Sequence, residues 1–367
     1  MDLHSAYIKA IEKATNNISR LGASFPQVTS LDENTRYNDE PARFWTGGFW
    51  GGILHEIYRE TGNEEALSVA REIEVKQDEL FHKFITLHHD VGFMWMPTSV
   101  EHYRLTGDQD SYIRGIKAAS VLVSRFNPNG NFIRAWNESN RANSAGLAII
   151  DCMMNLSLLY WASNVTNDPR FKAIACAHAD TVIKSFIRPD YTVPHVVEFD
   201  PNTGEKICEG RGQGVSPSSR WSRGQAWALY GFAISYRETK KTEYLVAAMN
   251  IANKFYSDLP SDLIPYWDFE SPEEDKYVKD SSASAIAASG LIELSLCTGD
   301  DKFKQMGLNI LQSLTDCYAD FSPDNEGIIK YGTVNYIKRK YINTSIIYGD
   351  FYYIEALSKL FGKTSIF

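Results

Sequence analysis

Apolar residues recur at helical spacing along almost the whole chain. The spacing predicts about twelve helices. They span residues 2–21, 44–60, 64–84, 93–106, 109–126, 143–163, 168–187, 222–238, 242–257, 280–297, 301–319 and 343–361. Two short stretches between helices, 192–199 and 327–331, have the character of strands. The pattern therefore predicts an all-α protein.

A short polar turn motif joins the two helices of each predicted pair. It is found at Thr61-Gly62-Asn63, Thr106-Gly107-Asp108, Thr166-Asn167-Asp168, Thr239-Lys240-Lys241 and Thr298-Gly299-Asp300. Glycine ends a helix well in the left-handed conformation, and Asp or Asn caps the helix that follows. Helices two to eleven therefore form five helical hairpins, and the first and last helices can pair as a sixth. We expect an (α/α)6 barrel of six helical hairpins that forms a single domain over residues 1–367.

In such a barrel the first helix of each hairpin lines the inside. These helices are rich in Gly, Ala and Ser, as in Gly47-Gly48 and from Ser281 to Ser289, which lets them pack closely. The longer connections, 127–142 and 188–221, precede inner helices and so gather at one end of the barrel. Long connections carry function more often than tight turns, so we expect a site at that end.

Composition narrows the class of protein and its partners. Hydrophobic residues make up 44% of the chain, enough for a sizeable core, and no apolar run approaches the ~20 residues of a membrane helix. We therefore expect a soluble protein. The net charge of −9 disfavours nucleic acid, which needs a basic face. Five scattered cysteines without a C-x-x-C pair argue against both a disulfide framework and a zinc site.

The first residues, Met1-Asp2-Leu3-His4, lack the basic and then apolar run of a signal peptide. The expected location is therefore the cytoplasm, or the periplasm if a signal peptide has been removed. The sequence does not fix the oligomeric state.

Two aspartates are candidates for acid–base chemistry. Asp151 lies in the apolar run 147–154, where a helix interior is expected. Burial would raise the pKa of this carboxyl, as a general acid at neutral pH requires. The alternative is a helix-interior aspartate that bonds neighbouring backbone or an arginine. Asp90 follows two histidines and precedes Val91-Gly92, so it is an N-cap, a catalytic group or both.

Other polar and aromatic residues stand near the starts of inner helices. His88 and His89 suggest a metal, but no His-x-x-x-His or carboxylate spacing accompanies them, so no metal site is expected. His195 is either functional or a surface histidine. The segment 210–214 has the spacing of a phosphate-binding glycine loop, but no βαβ unit surrounds it, and it is better explained as a flexible wall.

The stretch Trp221-Ser222-Arg223-Gly224-Gln225-Ala226-Trp227 opens the fourth inner helix. Its two tryptophans and its arginine are either core residues with a surface cation, or a stacking surface and a cation that suit a sugar carrying a carboxylate.

These residues, in this order, resemble the unsaturated glucuronyl hydrolase family of glycoside hydrolases. The resemblance extends from about Trp45 to Leu357. The segments that carry it are His89-Asp90 to Phe93, Asn143-Ser144 to Asp151, Trp221 to Trp227, Asp280 to Ser284 and Tyr348-Gly349-Asp350. It implies an (α/α)6 barrel that removes the unsaturated uronic acid left by polysaccharide lyases at the end of acidic oligosaccharides. No metal or organic cofactor is implied.

The resemblance also implies the role of each site residue. Asp151 would be the general acid and base, protonating C4 of the C4=C5 vinyl ether and assisting water at C5. Asp90 would hold sugar hydroxyls and help set the protonation of Asp151. The implied substrate-binding residues are Trp45, His89, Trp136, Asn137, His195, Gln213, Trp221, Arg223, Trp227 and Lys340.

Several alternatives remain open. Unsaturated rhamnogalacturonyl hydrolases, which act on pectin fragments, share the fold and chemistry. Gln225 favours the glucuronyl branch, because the pectin group tends to carry Asn there. A sugar epimerase or isomerase would want paired histidines facing the cavity, and these segments supply few. A non-catalytic sugar-binding toroid would not need Asp90 and Asp151.

The cations of Lys338-Arg339-Lys340 precede the last inner helix. They are either solvated surface or a pocket rim that attracts the second sugar. Some relatives that accept sulfated sugars carry Ser-x-x-Ser-x-Lys in this loop. Here the serines are absent and the last lysine remains, so the preference for sulfation is open.

Overall fold

A computed structural model describes residues 1–30, 35–137 and 142–367 of the chain. Helices dominate this part. The α-helices are α1 (Leu3–Asn16), α2 (Ile18–Leu21), α3 (Phe49–Thr61), α4 (Glu64–His82), α5 (Val91–Trp95), α6 (Glu101–Thr106), α7 (Gln109–Val123), α8 (Cys152–Thr166), α9 (Pro169–Ser185), α10 (Ser222–Thr239), α11 (Thr242–Ser257), α12 (Ser281–Thr298), α13 (Asp301–Ser313) and α14 (Ile347–Leu360).

The helices form two concentric rings. The inner ring consists of α3, the joined segment α5–α6, α8, α10, α12 and α14, each of which packs against the next until α14 meets α3. Helices α1, α4, α7, α9, α11 and α13 pack outside it, and α1 contacts both α3 and α14. The predicted all-α (α/α)6 barrel, with its sixth hairpin formed by the first and last helices, is confirmed.

Burial follows from this arrangement. The inner helices α8, α10, α12 and α14 are buried nearly all round, as helices of a closed core must be. Outer helices such as α4 and α13 bury one apolar stripe and expose charged residues on the other side. Among the described residues, no helix is long and apolar enough to cross a membrane.

The hairpin turns share one local structure. In the turn that follows α3, the Thr61 hydroxyl donates to the Ile57 carbonyl at 2.7 Å and accepts from the Asn63 N–H at 3.2 Å. Gly62 has φ +70°, and the Asn63 side chain accepts from the Ala66 N–H at 3.1 Å. The turns at residues 106–108, 166–168 and 298–300 repeat this pattern, with Asp as the cap.

The remaining turn departs from the pattern at two positions. Thr239 makes the same pair of hydrogen bonds, to the Ser235 carbonyl and from the Lys241 N–H. However, Lys240 occupies the left-handed position with φ +59°, and Lys241 at the N-cap offers no capping oxygen. This hairpin therefore closes without the two residue types best suited to its backbone.

Short strands build the opposite end of the barrel. They are β1 (Pro26–Thr29), β2 (Tyr37–Asp39), β3 (Phe126–Asn127), β4 (Phe132–Ile133), β5 (Leu147–Ile149), β6 (Val196–Phe199) and β7 (Lys206–Gly210). β1 pairs with β2 and β3 with β4, while β5, β6 and β7 form an antiparallel sheet in that order. The strand expected over 192–199 is present in its second half, whereas 327–331 makes only an isolated bridge, Ala319 to Ile329.

The predicted helix 143–163 is wrong in its first turns. Residues 147–149 are strand β5, and α8 begins only at Cys152. A short run of apolar residues fits a buried strand as well as a helix. Here Leu147, Ala148 and Ile149 pair with β6, which lies about fifty residues further along the chain and is invisible to a local pattern. Asp151 consequently stands at the junction of strand and helix.

Smaller differences concern the ends of other helices. The segment predicted as one helix over 93–106 starts at Val91 and contains a π-helical turn, Met96–Val100, that includes Pro97. A second π-helical turn, Leu314–Tyr318, follows α13. A 3-10 turn, Trp45–Gly48, precedes α3.

Candidate active site

A cavity of about 480 Å³ opens at the barrel end where the inner helices begin. It is lined by Phe44, Trp45, His88, Trp136, Asn137, His195, Gly212, Gln213, Asn335, Ile337 and Lys338. These residues come from six separate stretches of the sequence, so the long connections do gather at one end. The ring of Trp45 packs at 4.9 Å on that of Tyr348 from α14, which fixes one wall.

Asp90 lies beside this cavity, held by two histidines. His88 Nδ1 is 3.2 Å from Asp90 Oδ2, and His89 Nε2 is 3.0 Å from Asp90 Oδ1. Burial alone would raise the pKa of Asp90, but the charge of His89 and the close contacts of both histidines with the carboxylate outweigh it. The pKa of Asp90 therefore lies well below its usual range, and the group is a carboxylate at neutral pH.

His89 is the buried partner of Asp90. Its Nδ1 lies 2.6 Å from the Ala135 carbonyl, and the side chain is wholly buried. Burial lowers the pKa of the imidazole, but the Asp90 carboxylate and the Ala135 carbonyl together raise it above its ordinary value. His89 therefore contacts Asp90 from behind and does not line the cavity, so its predicted contact with substrate is replaced by a role in charging and orienting Asp90.

Asp151 stands at the N-cap position of α8, but its side chain does not cap that helix. Its side chain is 13% exposed, and Oδ1 faces His195 Nε2 at 3.3 Å. Neither of these two atoms has a hydrogen-bond partner among the described residues, although both are buried. Buried polar atoms are nearly always paired, so this pair is available for a third group.

The tautomer of His195 follows from its other contact. The backbone N–H of Gln213 donates to His195 Nδ1 at 2.9 Å, so that nitrogen carries a lone pair and the proton of the neutral ring sits on Nε2. Nε2 is the atom that faces Asp151. A Cβ on Gly212 would lie 2.2 Å from His195 Nδ1, so the loop backbone approaches the ring as closely as only glycine allows.

Asn155 connects the two aspartates and was missed by the sequence analysis. Its Oδ1 accepts from the Phe93 N–H at 2.8 Å, while Nδ2 donates to Asp90 Oδ1 at 3.4 Å and to the Asp151 carbonyl at 3.2 Å. The two candidate catalytic groups therefore lie at the same end of the barrel, on adjacent inner helices. A usable signal existed, because Asn155 follows Asp151 by four residues and so shares its helix face.

Within the described part of the chain, His88, His89 and Asp90 are the residues that could hold a metal ion, with ligand atoms within 4.8 Å of one another. Each imidazole, however, faces a different oxygen of one carboxylate, and the second nitrogen of His89 is engaged by the Ala135 carbonyl. This geometry orients the Asp90 carboxylate and stabilises its ionised form. The expectation that the site uses no metal stays a prediction.

Arg223 is structural in a way that the sequence did not reveal. It is 1% exposed and forms an ion pair with Asp280. Its guanidinium also donates to the carbonyls of Thr333 and Val334, both at 2.8 Å, and to Gln213 Oε1 at 3.3 Å. A buried arginine with these partners anchors the loop that precedes α14. Its link to the cavity runs through Gln213, and direct contact with a substrate stays a prediction.

The two tryptophans of the same stretch also lie behind the cavity surface. Trp227 is fully buried, with its ring 5.0 Å from Phe93 and 5.4 Å from Tyr352, so it is a core residue and the prediction that it forms a cavity wall is wrong. Trp221 is 3% exposed and stacks at 4.3 Å on His195. It therefore supports His195. Trp45 and Trp136 are the tryptophans that line the cavity.

Two amide side chains near the cavity are engaged by backbone or by other side chains. Asn137 lines the cavity, yet its amide accepts from Arg125 and donates to the carbonyls of Ile85 and Leu87, so it ties loops together. Gln225, which favoured the glucuronyl branch in the sequence, makes both its hydrogen bonds with the backbone of Val193. Its amide positions the segment before His195.

The basic loop is a tight turn at the cavity rim. Asn335 and Lys340 exchange backbone hydrogen bonds, and between them Lys338 lines the cavity while Arg339 stacks over Tyr336 at 3.9 Å. Lys340 is exposed and does not line the cavity. Lys338 therefore lies at the cavity rim, where Lys340 was predicted to bind substrate. Residues of a turn point in different directions, and Lys340 points away from the cavity.

Three further buried aspartates keep the surrounding loops in place. Asp268 accepts from the Ser219 hydroxyl and from the Val215 N–H, which fixes the loop that carries Gln213. Asp280 pairs with Arg223. Asp350 accepts from the N–H groups of Ile328 and Ile329, both at 2.8 Å, and burial raises its pKa to about 6. Asp350 therefore serves the fold, although its motif resembled a site segment.

Comparison with known proteins agrees with this geometry. The model of Glycosyl Hydrolase Family 88 matches residues 12–362. The unsaturated glucuronyl hydrolase of Bacillus sp. (strain GL1) is 34% identical, with 96% of this chain and 94% of the relative covered. The unsaturated chondroitin disaccharide hydrolase of Streptococcus agalactiae is 30% identical, with 100% and 93% covered.

Solved structures give the same result. The crystal structure of the unsaturated glucuronyl hydrolase from Bacillus sp. GL1 has a TM-score of 0.93 at 33% identity and covers 98% of this chain and 97% of its own. An unsaturated glucuronyl hydrolase specific for heparin has a TM-score of 0.90 at 31% identity, with 98% of each chain covered. An aspartate-to-asparagine mutant of the Streptococcus agalactiae enzyme, complexed with dGlcA-GalNAc6S, has a TM-score of 0.85 at 28% identity, with 100% and 93% covered.

Proposed function

The chain belongs to glycosyl hydrolase family 88, and from this premise we propose that it is the hydrolase that removes a terminal 4,5-unsaturated uronic acid from lyase-generated oligosaccharides of the glycosaminoglycan type. One observation carries the proposal beyond family membership. Asn155 donates to both the Asp90 carboxylate and the Asp151 backbone carbonyl beside one cavity, and each carboxylate faces a histidine that lines it. Two environments for two carboxylates are what an acid–base reaction needs.

Asp151 is the proton donor in this mechanism. The substrate ring carries a C4=C5 double bond next to the ring oxygen, so it is a vinyl ether that accepts a proton at C4. Asp151 delivers that proton, and water adds at C5 while Asp151 takes a proton back. The product is a hemiketal at C5 that opens, and the bond to the second sugar breaks as a consequence. The route differs from that of glycosidases that use two flanking carboxylates and an oxocarbenium ion at C1.

His195 prepares Asp151 for this step. With its proton on Nε2, the imidazole places a donor 3.3 Å from Asp151 Oδ1, beside the carboxyl group. The Gln213 N–H on one side and the Trp221 ring on the other keep the imidazole from turning. A donor and an acceptor 3.3 Å apart, both unpaired, can share one water molecule or one substrate oxygen.

Asp90 stays ionised and accepts hydrogen bonds from sugar hydroxyls. Its low pKa keeps the charge in place through the reaction. Asn155 holds Asp90 in a fixed place relative to the backbone at Asp151.

The rest of the substrate fits the rim of the cavity. The faces of Trp45 and Trp136 suit stacking on sugar rings. Lys338 adds a positive charge at the mouth of an acidic protein, which suits a second sugar that carries sulfate or carboxylate. Relatives named for chondroitin disaccharide and for heparin support a glycosaminoglycan fragment as the substrate class.

The test is the loss of absorbance of the vinyl ether with a panel of unsaturated disaccharides. The panel holds lyase products of chondroitin, hyaluronan, heparin and gellan, together with a pectin fragment that carries unsaturated galacturonate on rhamnose. We expect turnover of at least one glucuronyl substrate at a higher kcat/KM than the pectin fragment. A preference for the pectin fragment would identify an unsaturated rhamnogalacturonyl hydrolase, and no turnover of any member would contradict the proposal.

A further inference from the structure

The segment 362–367 folds back into the barrel after the last helix. Gly362 adopts φ +82° and its N–H donates to the Lys359 carbonyl, which reverses the chain at the end of α14. The segment has no regular secondary structure, yet Ile366 and Phe367 are both 0% exposed. Two large apolar side chains from an irregular segment therefore fill the closed end of the barrel, opposite the cavity.

Cations from three inner helices hold the backbone of this segment. Arg59 donates to the Thr364 carbonyl, Arg104 to the Ile366 carbonyl and Arg237 to the Phe367 carbonyl, each at 2.7 Å. These arginines lie in the last turns of α3, α6 and α10, where a cation also interacts favourably with the helix dipole. Three helices of the ring thus converge on three carbonyls of one short peptide.

A buried carboxylate also binds this segment. Glu355 of α14 is 0% exposed, and its Oε1 accepts from the Ser365 hydroxyl at 3.0 Å and from the Ile366 N–H at 3.2 Å. Its Oε2 accepts from the hydroxyls of Tyr230 and Ser289. Burying a carboxylate is costly unless its oxygens are satisfied, so this set of partners specifies the position of the segment closely.

The Phe367 side chain lies between this segment and the cavity. Its ring lies 5.8 Å from that of Tyr352, nearly parallel to it, and 5.9 Å from that of Phe93. The Phe93 ring in turn packs at 5.4 Å on Trp45, a wall of the cavity, and the Phe93 N–H donates to Asn155. One aromatic ring therefore separates Phe367 from the cavity wall and from the residue that ties Asp90 to Asp151.

We propose that residues 363–367 form a plug that positions the floor of the active site, with Phe367 as the positioning residue. The plug presses on Phe93 from below, and Phe93 sets both the Trp45 wall and the start of α5, three residues after Asp90. The inference rests on the proposed function for its activity readout. The interiors of proteins are close-packed, so removal of the ring from below lets this floor shift, and shifts of about 1 Å in a site lower turnover up to a hundredfold.

The experiment compares two substitutions in the 367-residue chain. Phe367→Ala removes the plug ring. Phe303→Ala is the matched control, because Phe303 is 1% exposed but lies on the outer helix α13. Melting temperatures are measured first, and kinetics with the unsaturated disaccharide follow at a temperature where both variants are folded. We expect both variants to melt earlier, but only Phe367→Ala to lower kcat, by about tenfold or more, with a smaller change in KM.

Equal kcat values for wild type and Phe367→Ala would overturn the proposal, and so would equal losses in both variants. If Phe367→Ala does not fold, Phe367→Leu and Phe303→Leu give the same comparison with less apolar volume removed. Acrylamide quenching of tryptophan fluorescence provides a readout without turnover. We expect it to rise in Phe367→Ala alone. An inactive wild type would refute the proposed function, and the quenching result would still decide whether the plug supports the cavity.

Discussion

The two ends of the barrel use Asp or Asn at the same helical position for different purposes. At the hairpin end the N-cap residues Asn63, Asp108, Asp168 and Asp300 each accept a hydrogen bond from their own helix. At the cavity end Asp90, Asp151 and Asp280 also precede helices, yet none of their side chains caps the helix it begins. Instead, the Asp90 carboxylate faces His88 and His89, the Asp151 carboxylate faces His195, and the Asp280 carboxylate faces Arg223.

The difference shows where this molecule gains stability and where it gives stability up. A capping side chain stabilises a protein by about 1 kcal/mol. Asp90 and Asp151 forgo that contribution and leave their carboxylates for chemistry. A cap is satisfied within its own turn. Asp151 instead faces His195 from another part of the chain, and Asp90 is held by its neighbours His88 and His89 and contacted by Asn155 from α8. Substitutions at the two ends should therefore separate stability from activity.

The largest effect on kcat is expected from a change of Asp to Asn, made separately at the cavity end and at the hairpin end. Asp151→Asn keeps the shape of the side chain but cannot donate the proton, so kcat should fall by about two to four orders of magnitude while substrate binding persists. Asp300→Asn is the matched control, because Asn caps a helix as well as Asp does, and kcat should not change. The measurement is the steady-state loss of vinyl-ether absorbance. Near-normal turnover in Asp151→Asn would contradict the assignment of Asp151 as the proton donor.

The next effect concerns the connection between the aspartates. Asn155→Ala leaves the Phe93 N–H unpaired in the core and frees Asp90 from Asp151. We expect kcat to fall by about tenfold and the free energy of unfolding by about 1–3 kcal/mol. Asn63→Ala, at the hairpin end, should lower stability by about 1 kcal/mol without any change in kcat. Unchanged kcat in Asn155→Ala would remove Asn155 from the positioning of the site.

The Asp90–His89 pair should make the free energy of unfolding depend on pH. The lowered pKa of Asp90 contributes stability above the unfolded value of about 3.9, and this is lost as pH falls through the folded pKa. The raised pKa of His89 contributes stability below about 6.5, and this is lost as pH rises through its folded value. Denaturant unfolding of His89→Gln should therefore show a flatter alkaline decline than wild type. An identical decline would mean that His89 is not charged in the folded protein.

A smaller effect is expected at the rim, where two lysines of one turn provide their own control. Lys338→Gln should lower kcat/KM a few-fold at low salt for a disaccharide with a charged second sugar, and salt should abolish the difference because the screening length falls from about 10 Å at 0.1 M to about 3 Å at 1 M. Lys340→Gln, on the exposed side of the turn, should change little. Equal effects of the two variants would make the loop a diffuse positive surface.

The smallest effect returns to the hairpin end. Lys240→Gly places the residue type that suits φ +59° in the turn after α10, as in the turns at Gly62, Gly107 and Gly299. We expect the free energy of unfolding to rise by about 0.5 kcal/mol, with kcat unchanged. Differential denaturant unfolding can resolve this. No gain would mean that the contact of Lys240 with the Tyr236 ring, at 5.4 Å, offsets the backbone strain.

The same contrast explains what the sequence could predict. The hairpins were predictable because each turn is satisfied by residues within a few positions of one another. Asp151 was identified but given the wrong surroundings, because β5 pairs with a strand far along the chain. The burial of Arg223 depends on the carbonyls of Thr333 and Val334, more than a hundred residues away, and a local pattern contains no trace of them.

Aromatic residues show the same limit on prediction. The spacing of Trp221 and Trp227 places both near the start of one helix, but only the packing of Phe93 and Tyr352 decides that Trp227 is interior. For Asn155 the signal was present in its four-residue spacing from Asp151. It was missed because an amide in an apolar helix has no recognisable chemistry until its partners are known.

The pairing of α1 with α14 also has a consequence for the order of events during synthesis. Five of the hairpins join neighbouring helices and can form as soon as both have left the ribosome. The sixth joins helices from opposite ends of the chain, and its second member is the last to be made. The inner ring closes where α14 meets α3, and the contact between Trp45 and Tyr348 lies at this closure. The nascent chain therefore carries both aspartates long before it has a complete cavity, and the binding wall is finished only when the ring closes.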